Sequence, residues 1–213
     1  MELTAPLIGI SRHRLATDGV GVTTLVAFHG CPLRCKYCLN SQCQEPDGVW
    51  RQMDVAELLD FVMLDNLYFL ATGGGVTFGG GEPCLRSEFI EAFCQKALRE
   101  WRITLETSLH VKREHLQRLL PWVQEYIIDV KDLNPLIYKK YTNRSLRSTL
   151  NNLRWLLSHD GMAERIVVRV PHIPNHNTAA DTAATIETLH DMGITRIDEF
   201  DYILPEEIKK SKR

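Results

Sequence analysis

The chain has 213 residues, 44% of them hydrophobic and 24% charged, and 25 Lys plus Arg against 27 Asp plus Glu leave a formal charge of -2. Such a composition can bury a sizeable core and excludes wholesale disorder, and the near balance of charge argues against a generally basic nucleic-acid binder. Six cysteines are too few for a disulfide scaffold in a chain this long; three of them fall between Cys31 and Cys38, which points to a metal or redox centre in a reducing compartment, the cytoplasm.

Taken in chain order, residues 1–6 lack the basic start and apolar run of a secretory leader. Residues 22–28 (VTTLVAF) are β-branched and apolar and predict a strand. Residues 54–70 carry apolar side chains at helical spacing behind Asp54 as N-cap; Glu57, Asp60 and Asp65 within them exclude a membrane span. A short strand over 75–78 runs into Gly79-Gly80-Gly81. A helix is expected over 87–101 from Ser87, a strand over 103–107, a short helix over 112–120 stopped by Pro121, and a strand over 126–130. A helix over 145–159, a strand over 165–170, a helix over 178–192 and a last strand over 195–203 follow. The tail Lys209-Lys210-Ser211-Lys212-Arg213 reads as a solvated end.

Strands alternating with helices, without a break in composition, predict a single α/β domain over residues 1–213 with parallel strands. Its sheet is either an open doubly wound one or an incomplete barrel. In both, functional loops sit at the C-terminal ends of strands.

The first of those loops holds Cys31, Cys35 and Cys38 in the spacing C-x3-C-x2-C. Thiolates are soft ligands that select zinc or iron–sulfur clusters. A structural zinc would need a fourth ligand, for which Cys43 or His29 is at hand. Three thiolates on a cube of four irons would instead leave one iron open to a substrate or cofactor.

This loop resembles that of the radical S-adenosylmethionine (SAM) superfamily. The preceding Asp18-Gly19-Val20-Gly21 and the following Asn40 are similar to the activating enzymes of glycyl radical enzymes, such as pyruvate formate-lyase activase. The resemblance implies a partial (βα)6 barrel and a 4Fe–4S cluster on Cys31, Cys35 and Cys38. It implies reductive cleavage of SAM to a 5′-deoxyadenosyl radical. A glycyl radical enzyme would be the protein partner, flavodoxin or ferredoxin the reductant, and neither nucleic acid nor membrane a partner.

The same resemblance assigns SAM contacts to Asn40, to Gly80, Gly81 and Glu82 of VTFGGGEP, to Glu106, with Thr107 matching beside it, and to Asp129 and Lys131, which the two-residue period of a strand puts on one face. Arg169 is a candidate contact for SAM or the partner. His172 and His176 follow in a loop with no catalytic role expected; Cys84 is placed near the site and Cys94 in the core. The sequence departs from the activase pattern at Val20-Gly21-Val22-Thr23, at Ser108-Leu109 and at Phe200-Asp201-Tyr202, where no histidine follows. It also stops sooner after the last strand. A radical SAM enzyme acting on a peptide, nucleotide or small metabolite therefore stands as the alternative, and a non-catalytic zinc or iron–sulfur protein behind it.

Overall fold

The computed structural model describes residues 3–15 and 17–204, so the basic tail at 209–213 lies outside the described residues. The chain forms two compact units. One comprises the described residues up to Cys31, Gln42–Thr107 and Val111–Ile127; the other comprises Pro32–Ser41, Ser108–His110 and the described residues from Ile128 onward.

The first unit holds strands β1 (Thr4–Leu15), β2 (Val22–Phe28) and β3 (Arg51–Asp54), helices α1 (Val55–Met63) and α2 (Asn66–Thr72), then β4 (Gly75–Gly80), α3 (Ser87–Lys96), β5 (Arg102–Thr107) and α4 (Arg113–Leu119). It also holds the start of β6 (Glu125–Asp129). The strand order is β3-β1-β2-β4-β5-β6. β1 runs antiparallel to β2 and β3, whereas β2, β4 and β5 are parallel in register, Leu25 beside Thr77 and Thr77 beside Thr104. Apolar β-branched runs and interleaved rings drive this: Phe28 lies 5.8 Å from Phe78 and 5.9 Å from Phe89, and Phe78 lies 5.4 Å from Phe93.

In this unit three features differ from the sequence expectation. β1 and β3 are additional, because Pro6, Gly9 and the polar Ser11-Arg12-His13-Arg14 hide the alternation of β1, which is further broken by two register shifts. The helix expected over 54–70 is two. Asp54 caps α1 in a capping box with Glu57, but Asp65 breaks the helix, fully buried. Its carboxylate accepts from Arg12 Nε at 3.0 Å, from Thr24 Oγ1 at 2.6 Å and pairs with His13 Nε2 at 2.9 Å. Finally, α3 stops at Lys96 and its N-cap is Arg86, not Ser87. The Ser87 hydroxyl pairs instead with His115 at 2.9 Å, and Trp101 turns back to donate to Asn66 at 2.8 Å.

The second unit holds the end of β6, then α5 (Pro135–Thr142), α6 (Arg147–Leu157), α7 (Met162–Arg165), β7 (Ile166–His172), α8 (Ala179–Asp191) and β8 (Ile197–Asp201). β7 neighbours β6 and pairs in parallel with β8, Val170 beside Glu199. Thr178 caps α8 in a capping box with Asp181, and Asn134 caps the unexpected α5, whose first residue is Pro135. Tyr138, Leu153, Leu156, Ile166, Val168 and Leu189 form the core here. No described helix is long and apolar enough to cross a membrane.

Candidate functional site

In the first unit the chemistry sits where β4 and β5 end. β4 leaves the sheet through Gly79-Gly80-Gly81, with Gly81 N–H donating to Phe28 C=O at 2.9 Å and Glu82 N–H to Gly30 C=O at 2.8 Å. A side chain cannot fit here. Gly80 has φ +89°, and a Cβ on it would lie 2.7 Å from the Ala27 Cβ; one on Gly81 would lie 2.3 Å from the Gly30 carbonyl oxygen. A Cβ on Gly79 would meet Glu106 Oε2 at 2.7 Å, so the half-buried Glu106 lies over the strand end. The room vacated by the glycines is taken by the protein's own atoms.

Glu82 is buried, 1% exposed, at the head of a 3₁₀ turn over Pro83–Arg86. Its Oε1 accepts from the Thr107 hydroxyl at 2.7 Å and from the Cys84 N–H at 3.3 Å, and the Cys84 thiol reaches Thr107 Oγ1 at 3.5 Å. Burial, and then the Glu82 carboxylate, push the Cys84 thiol well above its ordinary value, so it stays protonated. Thr107→Val keeps the shape and removes the hydroxyl from Glu82. A loss of about 2 kcal/mol is expected, as for a hydrogen bond to a charged group. Urea unfolding midpoints should show the loss in Thr107→Val and its recovery in Thr107→Ser.

In the second unit the cysteine loop is fastened to the end of α5. Arg34 N–H donates to Thr142 C=O at 2.9 Å, Lys36 N–H to Tyr141 C=O at 3.2 Å, and Arg144 Nε to Pro32 C=O at 2.8 Å. Cys35, Cys38 and Asn40 are half-buried on this loop, and Cys31 is half-buried at the end of the first unit's chain segment. None of the six cysteines forms a disulfide. Cys43 and Cys84 are buried in the first unit with Cys94, and the His29 ring is engaged with the Glu45 carbonyl at 2.8 Å. Among the described residues no three His, Cys, Asp or Glu side chains form a group already set to hold a metal ion. The chemistry of the donors nevertheless suits an iron–sulfur cluster: three half-buried cysteines, soft sulfur ligands in C-x3-C-x2-C spacing.

Asp129 and Lys131 meet as their spacing predicts, Lys131 Nζ lying 2.9 Å from Asp129 Oδ2. Burial raises the Asp129 pKa, but Lys131 and then Arg169 outweigh it and hold the carboxyl below the usual range. Burial works against the Lys131 ammonium too, yet Asp129, with Cys35 and Tyr202 nearby, keeps it firmly charged. Arg169 stands on β7 with Nε 3.5 Å from Asp198 Oδ2. His172 bonds outward to Glu199 at 2.9 Å, as a structural histidine would. His176 packs its ring 5.1 Å from Tyr141 and 5.5 Å from Tyr37. Two features were not anticipated in the sequence. One is the Thr107 bond to Glu82. The other is Tyr202, whose hydroxyl donates to the Tyr37 carbonyl at 2.6 Å and whose ring lies 5.9 Å from Lys131 Nζ. An aromatic residue near the end of the last predicted strand was the available sign of the second.

The radical SAM superfamily profile matches residues 25–189, a span running through the cysteine loop, the Glu82 turn and the Asp129–Lys131 pair. The chain belongs to the radical SAM superfamily. It is related to glycyl-radical-enzyme activating enzymes. The (2S)-3-sulfopropanediol dehydratase activating enzyme of Klebsiella oxytoca is 36% identical over 235 residues, 82% of this chain and 72% of that one. The pyruvate formate-lyase 2-activating enzyme of Escherichia coli K12 is 29% identical over 201 residues, 80% of this chain and 67% of that one. Among solved structures, that of Streptococcus suis SuiB bound to its precursor peptide SuiA superposes with a TM-score of 0.61 at 11% identity, covering 81% of this chain and 37% of SuiB. That likeness shows the fold alone: the α/β radical SAM core, with an open, partly barrel-like mixed sheet of the (βα)6 type. Membership in the radical SAM superfamily implies an enzyme that uses SAM and a 4Fe–4S cluster.

Proposed function

We propose that this radical SAM protein is an activating enzyme that installs a glycyl radical on a partner enzyme. One observation carries the reading: most of the chain is alignable with activating enzymes of that kind, at up to 36% identity. Cys31, Cys35 and Cys38 would hold the cluster. Bound there and reduced, the cluster would supply the electron that cleaves SAM to methionine and a 5′-deoxyadenosyl radical able to take a hydrogen atom from a glycine Cα.

The chain's own residues bind and orient. Glu82, held in place by Thr107, offers a carboxylate to the SAM ammonium, with Gly80 and Gly81 giving backbone contacts. Lys131 and Asp129 present a cation and an anion in fixed relation, suited to the carboxylate and hydroxyls of SAM, and Arg169 reinforces that field. Asn40 and Glu106 complete the proposed SAM contacts. We read the two compact units as one radical SAM domain, because the profile runs through both. Cys43, Cys84 and Cys94 are buried, so a second cluster on them is disfavoured and an external donor, flavodoxin or ferredoxin, is assigned to the reduction. Near-neutral charge disfavours nucleic acid as a partner. Reduced thiols and an oxygen-sensitive cluster fit the cytoplasm.

The test is anaerobic reconstitution with iron and sulfide, then dithionite and SAM. Equal amounts of methionine and 5′-deoxyadenosine are expected, and with a co-produced glycyl radical enzyme the electron paramagnetic resonance doublet of a glycyl radical. Absence of 5′-deoxyadenosine would sink the enzyme reading. Its presence, with no glycyl radical in any candidate partner, would sink the activating role.

A further inference from the structure

Tyr202 joins three parts of the second unit. Its N–H donates to the His172 carbonyl at 3.0 Å, which seats it at the end of β7. Its hydroxyl donates to the Tyr37 carbonyl at 2.6 Å, 165 positions away in sequence. Tyr37 stands between Cys35 and Cys38. The Tyr202 ring meanwhile lies 5.9 Å from the Lys131 ammonium and 6.4 Å from the buried Tyr141 ring. The backbone bonds from Arg34 and Lys36 to α5 hold the loop before Tyr37. The Tyr202 hydroxyl holds it at Tyr37 itself, on the side leading to Cys38.

We infer that Tyr202 is a positioning residue. It latches the cysteine loop to the end of the sheet, so that Cys35 and Cys38 stand in fixed relation to the Asp129–Lys131 pair. The inference rests on reading Cys35 and Cys38 as cluster ligands, but its structural core is testable without any cluster.

The experiment uses the full chain, first in its metal-free reduced form, alkylated with iodoacetamide and followed cysteine by cysteine by mass spectrometry. Tyr202→Phe keeps the ring over Lys131 and removes the hydroxyl. Cys35 and Cys38 should label about fivefold faster, the shift in loop opening expected for one ordinary hydrogen bond. Cys84 and Cys94 in the core should label at unchanged rates. After reconstitution, the same variant should lose its cluster absorbance faster to a chelator. Wild-type rates at Cys35 and Cys38 in the variant would overturn the latch. So would equal acceleration at Cys84 and Cys94, which would make Tyr202 a contributor to general stability. Should the variant fail to fold, hydrogen exchange on the wild-type chain decides: amides 36–40 exchanging as fast as an unstructured peptide would overturn the latch, and marked protection supports it. Unchanged labelling beside intact SAM cleavage refutes the latch alone, whereas faster labelling without SAM cleavage refutes the catalytic reading alone.

Discussion

Cys35→Ala is expected to give a folded chain that assembles no iron–sulfur cluster and forms no 5′-deoxyadenosine above an enzyme-free control. A methyl group cannot replace a thiolate ligand, and two thiolates do not hold a cube that the family supports on three. The expected loss is total for activity and small for stability. Cys35 is half-buried on a loop, where removal of one sulfur costs within about 0.5 kcal/mol. Iron and sulfide per chain, read with the visible charge-transfer absorbance under anaerobic conditions, check the first half, and thermal unfolding of the metal-free protein checks the second. Cys94→Ala is the control. Its thiol is buried on α3, so it should weaken the fold and leave the cluster in place. Wild-type iron and sulfide in Cys35→Ala would refute the ligand assignment.

The largest effect on folding is expected at Asp65. Asp65→Ala removes a carboxylate with no exposed surface and strands the fully buried Thr24 hydroxyl along with the guanidinium of Arg12. Arg12 is 34% exposed, so water offsets part of its loss, and about 3 kcal/mol of destabilisation is expected at neutral pH. The same site gives a pH dependence with a definite sign. Burial raises the Asp65 pKa, but hydrogen bonds from Arg12 and Thr24 and the charge of Arg12 bring it below the ordinary 3.8. A depressed pKa means stability that is present above the unfolded value and lost as pH falls through the folded one. The wild-type chain should therefore lose this contribution only below about pH 4, while Asp65→Asn, already lacking the charge, should show a shallower acid decline. Denaturant midpoints at neutral pH and below pH 4 measure both. Parallel acid declines in the two proteins would refute the assignment.

Much of this was legible in the sequence because it rests on local chemistry. The strands ending near Phe28, Gly80, Thr107 and Asp129 follow from β-branched runs, and the cap Asp54 from its side chain. The Asp129–Lys131 pair followed from a two-residue period. What escaped depends on partners far away in the chain. β1 is a strand because β2 and β3 complete it, not because its own residues alternate. The helix breaks at Asp65 to reach Arg12 and Thr24, and α3 ends early so that Trp101 can reach Asn66. Tyr202 gains its meaning from a carbonyl 165 residues away. Even the α5 start, Asn134-Pro135, carried a readable cap, hidden only by the short and weakly apolar helix behind it.

The glycine run at the end of β4 bears on how such proteins are to be told apart. Gly80 and Gly81 are demanded by Ala27 and by the Gly30 carbonyl, and Glu82 is tied to Thr107 and Cys84 within the same unit. A descendant that had given up SAM altogether would still be pressed to keep that motif, merely to fold. Retention of the glycine-glycine-glutamate signature is therefore weak testimony that a chain of this architecture remains catalytically alive. On the proposed assignment of roles, the cysteine triplet and the Asp129–Lys131 couple are the better witnesses.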